Sequence, residues 1–260
     1  MPLKDYGKRE ESNRKLLTIL EKCCIIIIEH FTIKELVSVP KVFLGVGHGG
    51  TDSGAIGNGF KEKDLNLSIA LACNDILVKH GVVVIMSRTV DENDTITDEI
   101  KECNNFKPDL AVDIHNNAGG GDGAECFYHH SGGNGKILAE NILNEIVKIG
   151  QNSRGIKTRV NSSGKDYYAF IRETSAPAVI IECAFMDNST DIQILNTKDK
   201  QVVMGTAIAK GILKTLGISF VQPSKIYRVQ VGAYSTKSGA IILQNKLKSQ
   251  GYDAILVEST

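Results

Sequence analysis

The chain is 260 residues long, enough to bury one full core and leave a small appendage. Its 30 Lys and Arg balance 30 Asp and Glu, which argues against a broad electrostatic hold on nucleic acid or on an anionic membrane, so any partner has to be recognised locally. The six cysteines, at positions 23, 24, 73, 103, 126 and 183, make no CxxC pair and are too sparse for a disulfide-stapled scaffold, which points to synthesis in a reducing compartment.

Residues 1–40 begin with Lys4, Lys8, Arg9, Arg14 and Lys15 ahead of an apolar run over 16–28. Glu21 and Lys22 interrupt that run and no small-residue cleavage site follows it, so an amphipathic helical extension is expected rather than a signal peptide or a membrane span. From Lys41 the pattern alternates. A strand is predicted over 41–46, then a helix over 62–81 with Leu65, Ile69, Ala72 and Ile76 at helical spacing, then a strand over 82–86. A short helix over 96–103, strands over 109–115 and 124–128, and a helix marked by Leu138, Ile142, Ile146 and Ile149 come next. Strands over 168–172 and 178–182 and a helix over 200–216 complete the series. Because the apolar runs are continuous, the strands should be buried on both faces. The expected fold is therefore α/β: a three-layer, twisted, mostly parallel sheet with helices on both faces.

Ligands of such sheets bind beyond the carboxyl ends of the strands. His48 follows the first strand, His115 ends the strand over 109–115, Glu182 ends the strand over 178–182, and Glu62 opens a helix after a glycine-rich loop. All four can reach one rim. Two imidazoles and a carboxylate suffice to hold a zinc ion with a position left open, and a fourth residue is then free to act as a base. Each also has a plainer role. His48 alone could be an ordinary loop histidine, and Gly45, Gly47, Gly49 and Gly50 around it could cradle phosphate, although the Gly-Lys-Ser/Thr ending of a P-loop is missing. Glu62 and Asp64 both suit a helix N-terminus, and residue chemistry leaves the choice between them open. Glu182 breaks an apolar run, so it has to be ion-paired, metal-bound or shifted in pKa. Cys183 reads as a small core residue. His30 and His80 read as surface or helix-end residues, and His129 and His130, in a polar loop, are not assigned to a metal.

The stretches Gly45-Val46-Gly47-His48-Gly49-Gly50, 52–57, Gly59-Phe60-Lys61-Glu62-Lys63-Asp64-Leu65-Asn66, Asp113-Ile114-His115-Asn116-Asn117-Ala118 and 172–188 carry a resemblance. Over about 41–217 the chain resembles the zinc-dependent N-acetylmuramoyl-L-alanine amidases of the type 3 family, cell-wall hydrolases of bacteria and their phages. Val46 stands where that family often has proline. The resemblance implies His48, Glu62 and His115 as zinc ligands, which settles Glu62 over Asp64, and Glu182 as the catalytic carboxylate. It implies hydrolysis of the amide between N-acetylmuramic acid and L-alanine, with Glu182 carrying the proton from water to the departing amine.

After a connector over 218–225, a strand over 226–234, a helix holding Ala240, Leu243 and Leu247 and a strand over 254–257 are predicted, a small β-α-β appendage. Residues 226–260 resemble one half of the sporulation-related repeat, a peptidoglycan-binding module. A segment this short rarely makes its own core. It should therefore pack on the catalytic domain or pair with a second copy through a strand edge, giving a homodimer; a vestigial tail with no binding role is the plainer alternative. The expected partner is peptidoglycan, with no nucleic acid and no membrane, and the expected setting is synthesis in the cytoplasm and action on the wall after release. Three rival readings remain: a cysteine hydrolase using Cys183 or Cys126, a zinc peptidase cutting stem peptides, and a non-catalytic wall-binding protein.

Overall fold

The structure is a computed structural model and describes residues 39–222, 232–252 and 254–256. They fall into two compact units divided after Phe220. The predicted N-terminal extension lies outside the described residues, except for Val39 and Pro40.

The first unit runs β1 (Lys41–Val46), β2 (Ile56–Gly57), β3 (Phe60–Lys61), α1 (Glu62–Lys79), β4 (Val83–Met86), α2 (Ile96–Phe106), β5 (Leu110–Asn117) and β6 (Ala124–Tyr128). It continues with α3 (Gly133–Lys148), β7 (Ser153–Lys157), α4 (Ala169–Glu173), β8 (Ala178–Phe185), a 3-10 turn (Asp191–Ile194) and α5 (Lys198–Thr215). Six strands form one sheet in the order β4-β1-β5-β8-β6-β7. All neighbours are parallel except β6 and β8, which are antiparallel. β2 and β3 form a separate two-stranded hairpin that leads into α1.

Alternation along each strand sorts the residues onto two faces. Val42, Leu44, Val112, Ile114, Val179 and Ile181 pack with α1, α3 and α5 through residues such as Leu65, Ile142 and Ile208. Phe43, Ala111, Phe127 and Ile180 face the other way, onto Ile100 and Cys103 of α2 and Phe170 and Ile171 of α4. The three layers expected from the sequence are present. At the sheet edge β4 is not buried on both faces, since Val83 and Ile85 are exposed. In this unit side-chain caps start α2 and α5: Thr95 Oγ1 accepts from Asp98 N–H, and Thr197 Oγ1 from Lys200 N–H.

The strand predicted over 168–172 is instead the short helix α4. A five-residue apolar run shows no usable period, and tertiary packing decides it. One helical turn lets the neighbouring Phe170 and Ile171 both enter the same core, with the Phe170 ring 6.4 Å from Phe43. In a strand they would point to opposite faces. β7 was not expected at all: Ser-Arg-Gly-Ile-Lys has no apolar alternation and forms the outermost strand.

In the second unit α6 (Lys237–Ser249) matches the predicted helix, capped by Thr236, and none of its residues is buried. Residues 232–234 and 254–256 are irregular, and the rest of the two predicted tail strands lies outside the described residues.

Candidate active site

Parallel pairing of β1, β5 and β8 brings their carboxyl ends to one rim. Register sets His115 beside Glu182, and the loop after β1 carries His48 over them. His48 adopts a left-handed backbone, φ 63, a conformation a non-glycine residue takes at a cost of order 1 kcal/mol or more. Two neighbouring glycines make room for the rings. A Cβ on Gly47 would lie 2.2 Å from the His115 ring, and one on Gly54, at φ 61, would lie 2.5 Å from the His48 ring and 2.6 Å from Glu62 Oε2.

Glu62 is buried at the first turn of α1, and its two oxygens face the two imidazoles. His48 Nε2 lies 3.1 Å from Oε2 and His115 Nδ1 lies 2.9 Å from Oε1. The carboxylate also accepts from Ala55 N–H at 2.9 Å and Asn116 N–H at 3.1 Å. Burial alone would push the Glu62 carboxyl up, but the two imidazoles and these backbone donors outweigh it and hold the group well below the ordinary carboxylate range. It stays anionic.

The far nitrogen of each ring is held by an aspartate. His48 Nδ1 lies 2.8 Å from Asp52 Oδ2, and His115 Nε2 lies 3.2 Å from Asp113 Oδ2. Such outer carboxylates fix the orientation of metal-bound histidines and raise their basicity. One donor atom from each of His48, Glu62 and His115 falls within 4.8 Å of the others. Two imidazole nitrogens and a carboxylate oxygen, oriented from behind, suit a borderline divalent cation such as zinc.

Three further side chains fasten this arrangement. Arg88, only 2% exposed, donates from Nε to Val46 O, from Nη2 to Gly47 O and Lys63 O, and from Nη1 to Val90 O, tying the glycine loop to the start of α1. Asn66 Nδ2 donates to Gly47 O at 2.9 Å, and Asn116 Nδ2 donates to Asn66 Oδ1 at 2.8 Å. Near Asp113, burial and the Asp113 charge push the Glu99 carboxyl well up.

Glu182 shares its sheet face with His115 and, across β6, with Glu125. Burial pushes the Glu182 carboxyl up to about 7; the His115 ring pulls it back, and the charges of Glu62, Asp113 and Glu125 push it further up. A cation held by the three ligands would oppose that rise.

All four predicted residues therefore meet at one rim. Asp64 is exposed and takes no part in the cluster, whereas Glu62 does. Cys126 and Cys183 are fully buried among the residues of the opposite face, and burial raises both thiols, which leaves no activated nucleophile there. Sequence reasoning missed Asp52, Asp113, Asn66, Arg88 and Glu125. Asp113 had a signal, because two residues before His115 on a strand means the same face. Asn66 had one as well, one helical turn after Glu62.

A carboxylate set between two imidazoles at the carboxyl rim of a mostly parallel sheet, with a second carboxylate alongside, makes a hydrolase-like centre able to hold a divalent cation. The family profile for N-acetylmuramoyl-L-alanine amidase matches residues 42–214, and that of the SPOR domain matches 212–259. The chain belongs to the N-acetylmuramoyl-L-alanine amidase family, whose reaction is hydrolysis of an amide bond in peptidoglycan. It is 33% identical over 221 residues to the sporulation-specific N-acetylmuramoyl-L-alanine amidase of Bacillus subtilis (strain 168), covering 84% of each chain. Cwp6 from Clostridium difficile superposes with a TM-score of 0.68 at 39% identity, over 69% of this chain and 30% of that one. The catalytic domain of CwlV, an N-acetylmuramoyl-L-alanine amidase from Bacillus (Paenibacillus) polymyxa var. colistinus, superposes with a TM-score of 0.63 at 29% identity, over 69% of this chain and 99% of that one.

Proposed function

We propose that this amidase works with a zinc ion held by His48, Glu62 and His115, and that Glu182 carries the proton. One observation supports this above the others: Glu62 presents an oxygen to each imidazole while Asp52 and Asp113 hold the far side of each ring. Zinc in that position supplies Lewis acidity to the scissile carbonyl and lowers the pKa of water. Glu182 takes the proton of the attacking water and delivers it to the nitrogen of L-alanine as the amide bond to the lactyl group of N-acetylmuramic acid breaks. Asp52 and Asp113 keep the imidazoles in the tautomer that leaves the inner nitrogens as donors. Removing metal with a chelator should stop release of free amino groups from purified peptidoglycan, and added zinc should restore it. Release that is indifferent to the chelator would overturn the assignment.

The domain reading that goes with this function places catalysis in 41–217, a connector in 218–225 and wall binding in 226–260. The SPOR match supports the last. The shortness of the tail, which leaves it too small for a core of its own, is the ground for pairing it with a second copy through a strand edge. The even charge balance speaks against a nucleic-acid partner, and no described helix is long and apolar enough to cross a membrane. Synthesis in the cytoplasm and action on the wall after release fit the four described cysteines, which are all free and buried.

A further inference from the structure

At the opposite rim of the sheet, a second cluster repeats the pattern of the first. β6 runs antiparallel to β8, with Tyr128 opposite Val179, so the residues that follow Tyr128 lie at the amino end of β8, away from Glu182. There His129 and His130 bring their rings together, stacked with centroids 4.6 Å apart, in place of the opposite directions that neighbours on a strand would take. Both rings address one oxygen. His129 Nε2 lies 2.9 Å and His130 Nδ1 2.6 Å from Oδ2 of Asp166, a carboxylate only 2% exposed.

The cluster is anchored from outside. Asp166 Oδ1 accepts from His130 N–H at 2.9 Å, which leaves Oδ2 turned to the imidazoles. Ser131 holds the far side of the His129 ring, with its Oγ 2.7 Å from Nδ1 and its backbone N–H donating to the same nitrogen at 3.2 Å. Arg172 Nη1 donates to Asp166 O at 2.9 Å, and Val160 bridges to Asp166, so the loop that presents the carboxylate is itself fixed. One donor atom from each of His129, His130 and Asp166 falls within 4.8 Å of the others, the same limit that the His48, Glu62 and His115 cluster meets.

We propose that His129 Nε2, His130 Nδ1 and Asp166 Oδ2 form a second site for a borderline divalent transition cation, of the zinc type, remote from the catalytic rim. Two imidazoles and one carboxylate match the ligand preference of zinc, nickel or copper over magnesium or calcium, which take oxygen ligands. An ion there cross-links the end of β6 to the segment that enters α4, a structural clamp with no part in the amide chemistry.

The test uses the full chain, equilibrated with zinc against a competing chelator that strips weakly held ions, with bound zinc counted by elemental analysis. Wild type should carry two ions. The double variant His129→Ala/His130→Ala, and separately the near-isosteric Asp166→Asn, should carry one each and still release amino groups from peptidoglycan. His48→Ala/His115→Ala should carry one, and zinc should still raise its unfolding temperature, a shift that Asp166→Asn added to that variant abolishes. A second ion that survives in the Asp166→Asn protein, or a single ion that only the His48→Ala/His115→Ala change removes, overturns the proposal. A single ion removed by Asp166→Asn would uphold this site and count against the catalytic one.

Discussion

Glu125 stands directly opposite Glu182 in the antiparallel pair of β6 and β8, and His115 stands beside Glu182 in the parallel pair with β5. Three titratable side chains thus form one row across three strands of the same sheet face. Glu125 does not stand alone, because Arg154 Nε lies 2.7 Å from its Oε2 and Lys157 pairs with the same oxygen. Arg154 also lies over the Phe185 ring, 4.9 Å from its centroid.

Burial pushes the Glu125 carboxyl up, but Lys157 and Arg154 outweigh it and hold the group below the ordinary range. A depressed folded-state pKa stabilises the protein above the unfolded value of about 4.3, and that stability is lost as pH falls through the lower folded value. Glu125→Gln should therefore cost roughly 1–2 kcal/mol at pH 7, a figure discounted for the solvent that reaches Arg154 and Lys157. The deficit should shrink in acid, below about pH 4. Urea unfolding of both proteins at the two pH values checks this, and an equal deficit at both would show that the ion pairs are not its source.

Asp52 and Asp113 touch the proposed ligands and no other part of the proposed metal cage. Asp52→Asn and Asp113→Asn should each weaken zinc binding by about 10–100-fold, the usual effect of losing an outer-shell partner. Competition titration with a chromogenic chelator reads this directly. Wild-type affinity in both variants would mean that the two aspartates do not orient the rings.

The described residues of the two hydrophobic clusters of the first unit lie within 42–220. Deletion of 221–260 should therefore leave the thermal unfolding of that unit nearly unchanged while reducing co-sedimentation with purified peptidoglycan. Sedimentation equilibrium of the intact chain should show a dimer that the deletion converts to a monomer. Undiminished wall binding after the deletion would remove the binding role from the tail.

The sequence discloses the elements that bury continuous apolar runs. β1, β5 and β8 are such runs, and their ends hold His48, His115 and Glu182, so the site was visible wherever a polar residue interrupted one. What stayed hidden depends on tertiary position. α4 is too short to show a period, and β7 is an edge strand with no apolar face. The pairing of Glu125 with Glu182 requires strand order, in particular the one antiparallel neighbour in the sheet. The meeting of Asp166 with His129 and His130 requires a loop to fold back over 36 positions, which no local pattern records.

Metal content and turnover measured side by side in Glu182→Gln and His115→Ala test the catalytic assignment most directly. Glu182→Gln should keep the full wild-type zinc content while release of amino groups from purified peptidoglycan falls by about 100-fold or more. His115→Ala should lose one equivalent of zinc and the activity together. Hydrolysis at the wild-type rate by Glu182→Gln, or undiminished zinc in His115→Ala, would contradict the account.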